Sequence, residues 1–205
     1  MLKIYLIRHG QDQDNADGIL NGRRDKPLTE LGVRQANEIA AKIKGADISF
    51  DKVYSSPLKR AYQTAEIISG CLGMEKPEKL GWLLEREQGV MTGQRVCDIE
   101  RLCAPHILKT GTVTYFIEAE KAETWTQMKE RGGKCLEEIR ARHEDGSILL
   151  VTHGCFGKML YAAYYDLDWK ETLEMFHFGN SDLLLLSEDS SPQDTHIFKT
   201  EQHNA

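Results

Sequence analysis

One unbroken apolar run, "SILLVTHG" at Ser147–Gly154, constrains this chain more than any other stretch. It shows no period-two alternation, so it predicts a strand buried on both faces, as in a parallel sheet between helices. A second short run, Ile4–Ile7 in "LKIYLIRHG", ends the same way, in a histidine and a glycine. Helical patterns alternate with strand patterns along the chain. "LTELGVRQANEIAAKIK" carries Leu31, Ala36, Ile39, Ala40 and Ile43 at helical spacing. Val53–Ser55 is a short strand. "SSPLKRAYQTAEIISGCLG" predicts a helix with Ser56 as N-cap, Pro57 in the first turn and Gly73 near its end. "KLGWLLERE" reads as a strand running into a loop.

From about Val90 to Glu120 the period is lost, which predicts an insertion with short helices, among them "VCDIERLCAPHI". A long helix follows, from Ala122 to His143, with Gly132-Gly133 inside it. Each glycine costs about 1 kcal/mol there, so the pair either kinks the helix or lets something pack closely. A helix from Gly154 to Tyr165 comes next. "DLLLLS" and "THIFKT" are the last strands, joined by the turn-like "EDSSPQD". The chain of 205 residues suits one domain over residues 1–200, with the insertion at 90–120 as a cap and a flexible tail at 201–205.

Composition excludes several classes. The net charge of −6 argues against general nucleic-acid binding, which needs a basic face. No apolar run approaches the ~20 residues that span a bilayer, and no secretory leader is visible. A cytoplasmic location is expected. The five cysteines are scattered and form no CxxC pair, so neither a zinc knuckle nor a thioredoxin-type site is expected. Cys155, beside His153, reads more readily as a small buried thiol than as a reactive one.

Four pieces carry the chemistry: Arg8-His9-Gly10, Arg60 early in a helix, Glu85 with Arg86 past a strand, and His153-Gly154. Ligands bind at strand ends in α/β folds, and each glycine allows backbone to approach a ligand closely. An arginine beside His9 disfavours its protonated form, leaving a nucleophilic imidazole. Guanidinium forks and helix starts suit phosphate oxygens. No P-loop, GxGxxG or Asp-rich magnesium cluster is present. The pattern therefore points to chemistry without metal or cofactor, with histidine as the covalent nucleophile.

"LIRHGQDQDN", "GRRDKPLTELGVRQA", "VYSSPLKRAYQTAEII", "LLEREQGVMTG", "ETWTQMKER" and "LLVTHG" stand in an order that resembles the histidine phosphatase superfamily, in its phosphoglycerate-mutase-like branch. The resemblance runs from Met1 to about Leu186. It implies His9 as phosphate acceptor, with Arg8, Arg60 and His153 on the transferred phosphoryl group. It implies Glu85 as proton donor and then base, with Glu87 as the rival. Asn15 matches a phosphate-holding Asn, Asn21-Gly22 match a polar–Gly pair on the substrate side, and Gly154 is expected with them among the substrate- and phosphate-binding residues. Arg23, Arg24 and Arg86 are expected outside the contacts. The fold expected is a three-layer α/β/α sandwich with a mixed, mostly parallel sheet and the insertion over its carboxyl edge.

Some positions depart from the family pattern. Gln11 and Asp12 follow the RHG motif, Gln88 stands where mutases carry an aromatic residue, and the insertion has Arg95, Arg101 and Lys109 but no Arg-Arg pair. These departures, with the apolar "TYFI" at Thr114–Ile117, favour a phosphomonoesterase acting on a small, less charged phosphorylated substrate. The alternatives are a phosphoglycerate mutase and a non-catalytic phospho-ligand binder. The sequence does not name the substrate or the oligomeric state.

Overall fold

The computed structural model describes residues 1–189, 191–192 and 196–199. The chain runs β1 (Leu2–Arg8), α1 (Gln13–Ala16), α2 (Glu30–Gly45), β2 (Lys52–Ser55), α3 (Lys59–Leu72) and β3 (Glu78–Lys79). It continues with α4 (Ile99–Cys103), β4 (Ile107–Lys109), β5 (Thr114–Phe116), α5 (Trp125–Arg142) and β6 (Gly146–Thr152). It closes with α6 (Gly154–Tyr164), α7 (Trp169–Met175), β7 (Leu183–Leu186) and β8 (His196–Phe198). The strands order as β3-β2-β6-β1-β7-β8. The β1–β6, β2–β6 and β2–β3 pairs are parallel, while β7 pairs antiparallel with β1 and β8. The sheet is therefore mixed and mostly parallel.

Alternation along the central strands divides the core into two layers. Ile4, Leu6, Ile148 and Leu150 face one side, where Met128, Leu136 and Ile139 of α5 and Phe156, Met159 and Leu160 of α6 pack. Tyr5, Ile7, Leu149 and Val151 face the other, against Ile39 and Ile43 of α2 and Ala61, Ala65 and Ile68 of α3. With β1 and β6 buried by both layers, their unalternating apolar sequences are accounted for. Gly132 is the close-packing position: a Cβ there would lie 3.0 Å from the Leu160 backbone of α6, so the glycine lets α5 and α6 approach.

Four local expectations are corrected. Helix α3 begins at Lys59 with Leu58 as its N-cap, because the Ser56 hydroxyl is engaged by the His153 ring instead. "KLGWLLERE" yields only the two-residue edge strand β3. A 3-10 turn at Gly81–Leu83 then drives Leu83 into the core. The insertion holds two 3-10 turns and α4, as its short-helix pattern implied, but also the unforeseen hairpin β4–β5. Phe116 of that hairpin fills a small core with Met91, Ile99 and Cys103. Helix α7, N-capped by the Asp168 side chain, was not read from the sequence. The tail at 201–205 and part of the "EDSSPQD" turn lie outside the described residues. No helix among the described residues is long and apolar enough to cross a membrane.

Candidate active site

Parallel pairing of β1 with β6 places Arg8 opposite Thr152, so the two strands end side by side. His9 N–H donates to Thr152 O at 2.9 Å, which carries the register one residue beyond the strands. The His9 and His153 rings meet edge to face, 5.1 Å apart between centroids. Helix α3 then delivers Arg60 from the first turn, where its side chain is fully buried. Arg60 Nε lies 3.1 Å from His9 Nε2, 3.2 Å from His153 Nδ1 and 3.2 Å from Asp12 Oδ2. Its Nη1 and Nη2 donate to Arg24 O at 2.6 Å and Gly22 O at 2.8 Å.

These bonds select the tautomers. His9 Nδ1 sits 2.6 Å from Gly10 O, an acceptor only, so Nδ1 carries the proton and Nε2 keeps its lone pair. His153 Nδ1 accepts from Arg60, so its Nε2–H donates to Ser56 Oγ at 2.8 Å. Burial, followed by the charges of Arg60 and Arg8, holds His9 well below the usual histidine range, against the opposing pull of the Gly10 carbonyl. Burial and Arg60 do the same to His153.

Arg8 donates through Nη1 to Phe178 O at 2.9 Å. Its buried Nε–H has no partner among the described residues. Gly154 adjoins it: a Cβ on Gly154 would stand 3.4 Å from the guanidinium. Gly10 serves another purpose than ligand approach. A Cβ on Gly10 would fall 2.4 Å from Gly32 O, so the glycine lets the β1 exit pass against the start of α2.

Asp12 is a functional residue that the sequence reading set down only as a departure. It is wholly buried, and burial pushes its carboxyl up against the opposing charge of Arg60. Its Oδ1 caps α1 by accepting from Asn15 N at 2.8 Å, and its Oδ2 accepts from Asn21 Nδ2 at 3.0 Å. The readable signal was an N-cap type residue directly ahead of a helical turn. Asn180 was also missed. Its Nδ2 donates to His9 O at 2.8 Å and to Asn15 Oδ1 at 3.2 Å, from the polar "GNSD" turn ahead of β7.

Glu85 is buried at the amino end of α6. Its Oε1 accepts from Arg86 N at 2.7 Å and Phe156 N at 3.0 Å, and its Oε2 from Cys155 N at 3.2 Å. His153, the N-cap residue by position, makes no side-chain cap bond. A carboxyl group from another loop thus satisfies the orphan amides of α6.

A cleft of about 680 Å³ opens onto Arg8, Asn15, Asn21, Glu85 and Gly154. His9, Arg60 and His153 are buried and do not line it, although Arg8 and Gly154, next to the two histidines in the chain, do. Gly22 has φ +46°, and its neighbours Gln88 and Thr92 would crowd a side chain. Glu87 is half-exposed and lies 3.9 Å from Arg23, away from the histidines' hydrogen bonds. Arg24 pairs with Asp14 at 2.9 Å. Arg86 is buried, holding the carbonyls of Phe116, Ile117 and Glu123 and so tying the insertion hairpin to the domain. Burial pushes the Cys155 thiol up to about 12, which suits an inert thiol.

A family model for the histidine phosphatase superfamily (branch 1) matches residues 4–195. The chain is 28% identical over 170 residues to phosphoserine phosphatase 1 of Hydrogenobacter thermophilus, covering 82% of this chain and 78% of that protein. It is 37% identical over 150 residues to the 2,3-bisphosphoglycerate-dependent phosphoglycerate mutase of Thermoplasma acidophilum, covering 72% and 68%. Its fold is similar to the crystal structure of phosphoserine phosphatase from Entamoeba histolytica in complex with 3-phosphoglyceric acid. That match has a TM-score of 0.72, 26% identity and 90% coverage of each chain. With two histidine-ended strands meeting over one buried arginine, and a family match along nearly its full length, this chain belongs to the histidine phosphatase superfamily.

Proposed function

We propose that this phosphatase is a metal-independent phosphomonoesterase that works through a phosphohistidine on His9, acting on a small phosphorylated metabolite. The observation that carries the reading is the His9 tautomer: Nδ1–H is committed to Gly10 O, and the Nε2 lone pair faces Arg60 and His153. Nε2 attacks phosphorus as the ester P–O bond breaks. Arg8, Arg60 and His153 meet the charge on the non-bridging oxygens. The unpaired Nε–H of Arg8 supports this role, because a buried donor without an acceptor costs about 1–3 kcal/mol that a phosphoryl oxygen would offset. Asn15 and Asn21-Gly22 complete the cradle. Glu85 gives its proton to the leaving oxygen and then takes one from water as that water attacks phosphorus and the P–N bond breaks. His9 and Glu85 both return to their starting states.

The fold supports a single domain with residues 90–120 as a cap, since the hairpin residues 114 and 115 line the cleft. The five free cysteines suit a reducing, cytoplasmic setting. The test is release of inorganic phosphate from an aryl phosphate. Release should survive exhaustive chelation and should disappear, with the acid-labile phosphoenzyme, in His9→Ala. A large, reversible loss on chelation, or a phosphohistidine persisting on His153, would overturn the reading. The identity to a mutase favours one rival, and conversion of 3-phosphoglycerate to its 2-isomer without net phosphate release would establish it.

A further inference from the structure

Arg131 projects from α5 with only 12% of its side chain exposed, and it does not line the cleft. Its guanidinium is spent on the loop that carries Glu85. Nη1 donates to Trp82 O at 2.7 Å and to Leu84 O at 2.8 Å, and Nη2 reaches Glu85 O more weakly, at 3.5 Å. Leu83 O, between them, accepts from the Thr152 hydroxyl at 2.8 Å. The carbonyls of the whole segment leading into Glu85 are thus held, most of them by one side chain. Glu123 fixes the guanidinium in turn, with Oε1 at 2.8 Å from Nε and Oε2 at 2.9 Å from Nη2. The flat face of the guanidinium lies over the Phe156 ring, with Cζ 4.0 Å from the centroid. Phe156 is the residue whose N–H donates to Glu85 Oε1 at 3.0 Å.

Both ends of Glu85 therefore meet at Arg131: its backbone through the loop carbonyls, and its carboxyl through Phe156. A guanidinium suits this place. It has N–H donors in a rigid fork for several carbonyls and a carboxylate at once, and a flat face that stacks on an aromatic ring. We propose that Arg131 is a positioning residue for proton transfer, fixing the Glu85 carboxyl at the amino end of α6 where it meets the leaving oxygen. This rests on the phosphomonoesterase reading, with Glu85 as proton donor. Misplacing a reacting group by about 1 Å costs on the order of 100-fold in rate. Loss of Arg131 should therefore appear chiefly in the step that needs the proton. Glu123 belongs to the same device, because it aligns the fork from just ahead of α5.

The test is single-turnover formation of the phosphoenzyme from a sugar phosphate, whose alkoxide needs a proton, and from an aryl phosphate, whose phenolate does not. The proteins compared are wild type, Arg131→Met, Glu85→Gln and the double variant. Arg131→Met should slow the sugar phosphate about tenfold or more beyond any slowing of the aryl phosphate. In the Glu85→Gln background, where the acid is already gone, Arg131→Met should slow the two substrates alike. A merely structural role would slow both substrates equally in the single variant as well, and that result would overturn the proposal. So would a selective loss of the same size in the Glu85→Gln background. Should Arg131→Met fail to fold, the same ratio decides in Arg131→Lys, which keeps the charge without the fork, and in Glu123→Gln, which frees the guanidinium. The two readings fail separately. Glu85→Gln without leaving-group selectivity overturns Glu85 as proton donor and this proposal with it, whereas selectivity in Glu85→Gln and none in the Arg131 variants overturns only this one.

Discussion

The Nε–H of Arg60 stands 3.1 Å from His9 Nε2, and the same edge lies 3.2 Å from His153 Nδ1. One buried guanidinium therefore joins the ends of two strands, while its η nitrogens hold the backbone of the 22–24 loop. Burial, with this positive charge beside them, keeps both imidazoles neutral. In the proposed reaction a neutral His9 needs no general base, and the cation beside it would also face the incoming phosphoryl group.

Removing Asp12 should disturb this centre. Its carboxylate faces Arg60 at 3.2 Å with both side chains fully buried. Breaking a buried pair by deleting one partner costs about 3 kcal/mol. Asp12→Asn should lower stability by that order and slow phosphoenzyme formation, as read by urea unfolding and single-turnover kinetics. Asp14→Asn is the comparison. Its partner Arg24 has 38% of its side chain exposed, so its loss should cost below about 1 kcal/mol. Equal losses in the two variants would count against Asp12 as the anchor of Arg60.

The lowered histidines make stability depend on pH. Both are neutral in the fold well below the 6.5 of an ordinary histidine. Between that value and their lowered values, the unfolded chain binds protons that the folded one does not. Their stabilisation is thus complete above 6.5 and is lost as pH falls, at about 1.4 kcal/mol per pH unit for each histidine. His9→Asn should remove about one proton's worth of that slope in urea titrations below neutrality. Identical slopes in the two proteins would show that His9 titrates normally.

Glu85→Gln should slow phosphoenzyme formation from a sugar phosphate far more than from an aryl phosphate. An alkoxide must be protonated as it leaves, whereas a nitrophenolate departs nearly unaided. Hydrolysis of the phosphohistidine should slow too. Glu87→Gln, altering a half-exposed partner of Arg23, should leave the leaving-group selectivity in place. Single-turnover rates on both substrates check this; a selective loss in Glu87→Gln alone would move the proton donor to that residue.

Cysteine labelling should separate two neighbours of the cleft. Cys97 is exposed, while Cys155 is partly covered and its thiol is pushed up to about 12. Thiolate is the reactive form, so iodoacetamide near neutral pH should modify Cys97 and spare Cys155, as mapped by mass spectrometry. Prompt alkylation of Cys155 would contradict the described burial.

What the sequence determined by itself was local and periodic. The unalternating runs at Ile4–Ile7 and Ile148–Val151 marked strands covered on both faces, and the helical spacing of Ile39, Ala40 and Ile43 marked α2. The strand–His–Gly ends pointed to one sheet edge, because parallel strands bring like ends together. Only tertiary structure decided which groups surround those histidines. Asp12 stands in the sequence only as a departure from the family pattern until α3 brings Arg60 against it, and nothing local to Asn180 shows that it reaches His9 O, 171 positions away. Glu85 became the cap of α6, Ser56 was drawn from a helix start to the His153 ring, and Lys158 was buried facing a tyrosine of the cap. Burial and charge act through space, and their strength is set by partners distant in the chain, so no local pattern records them.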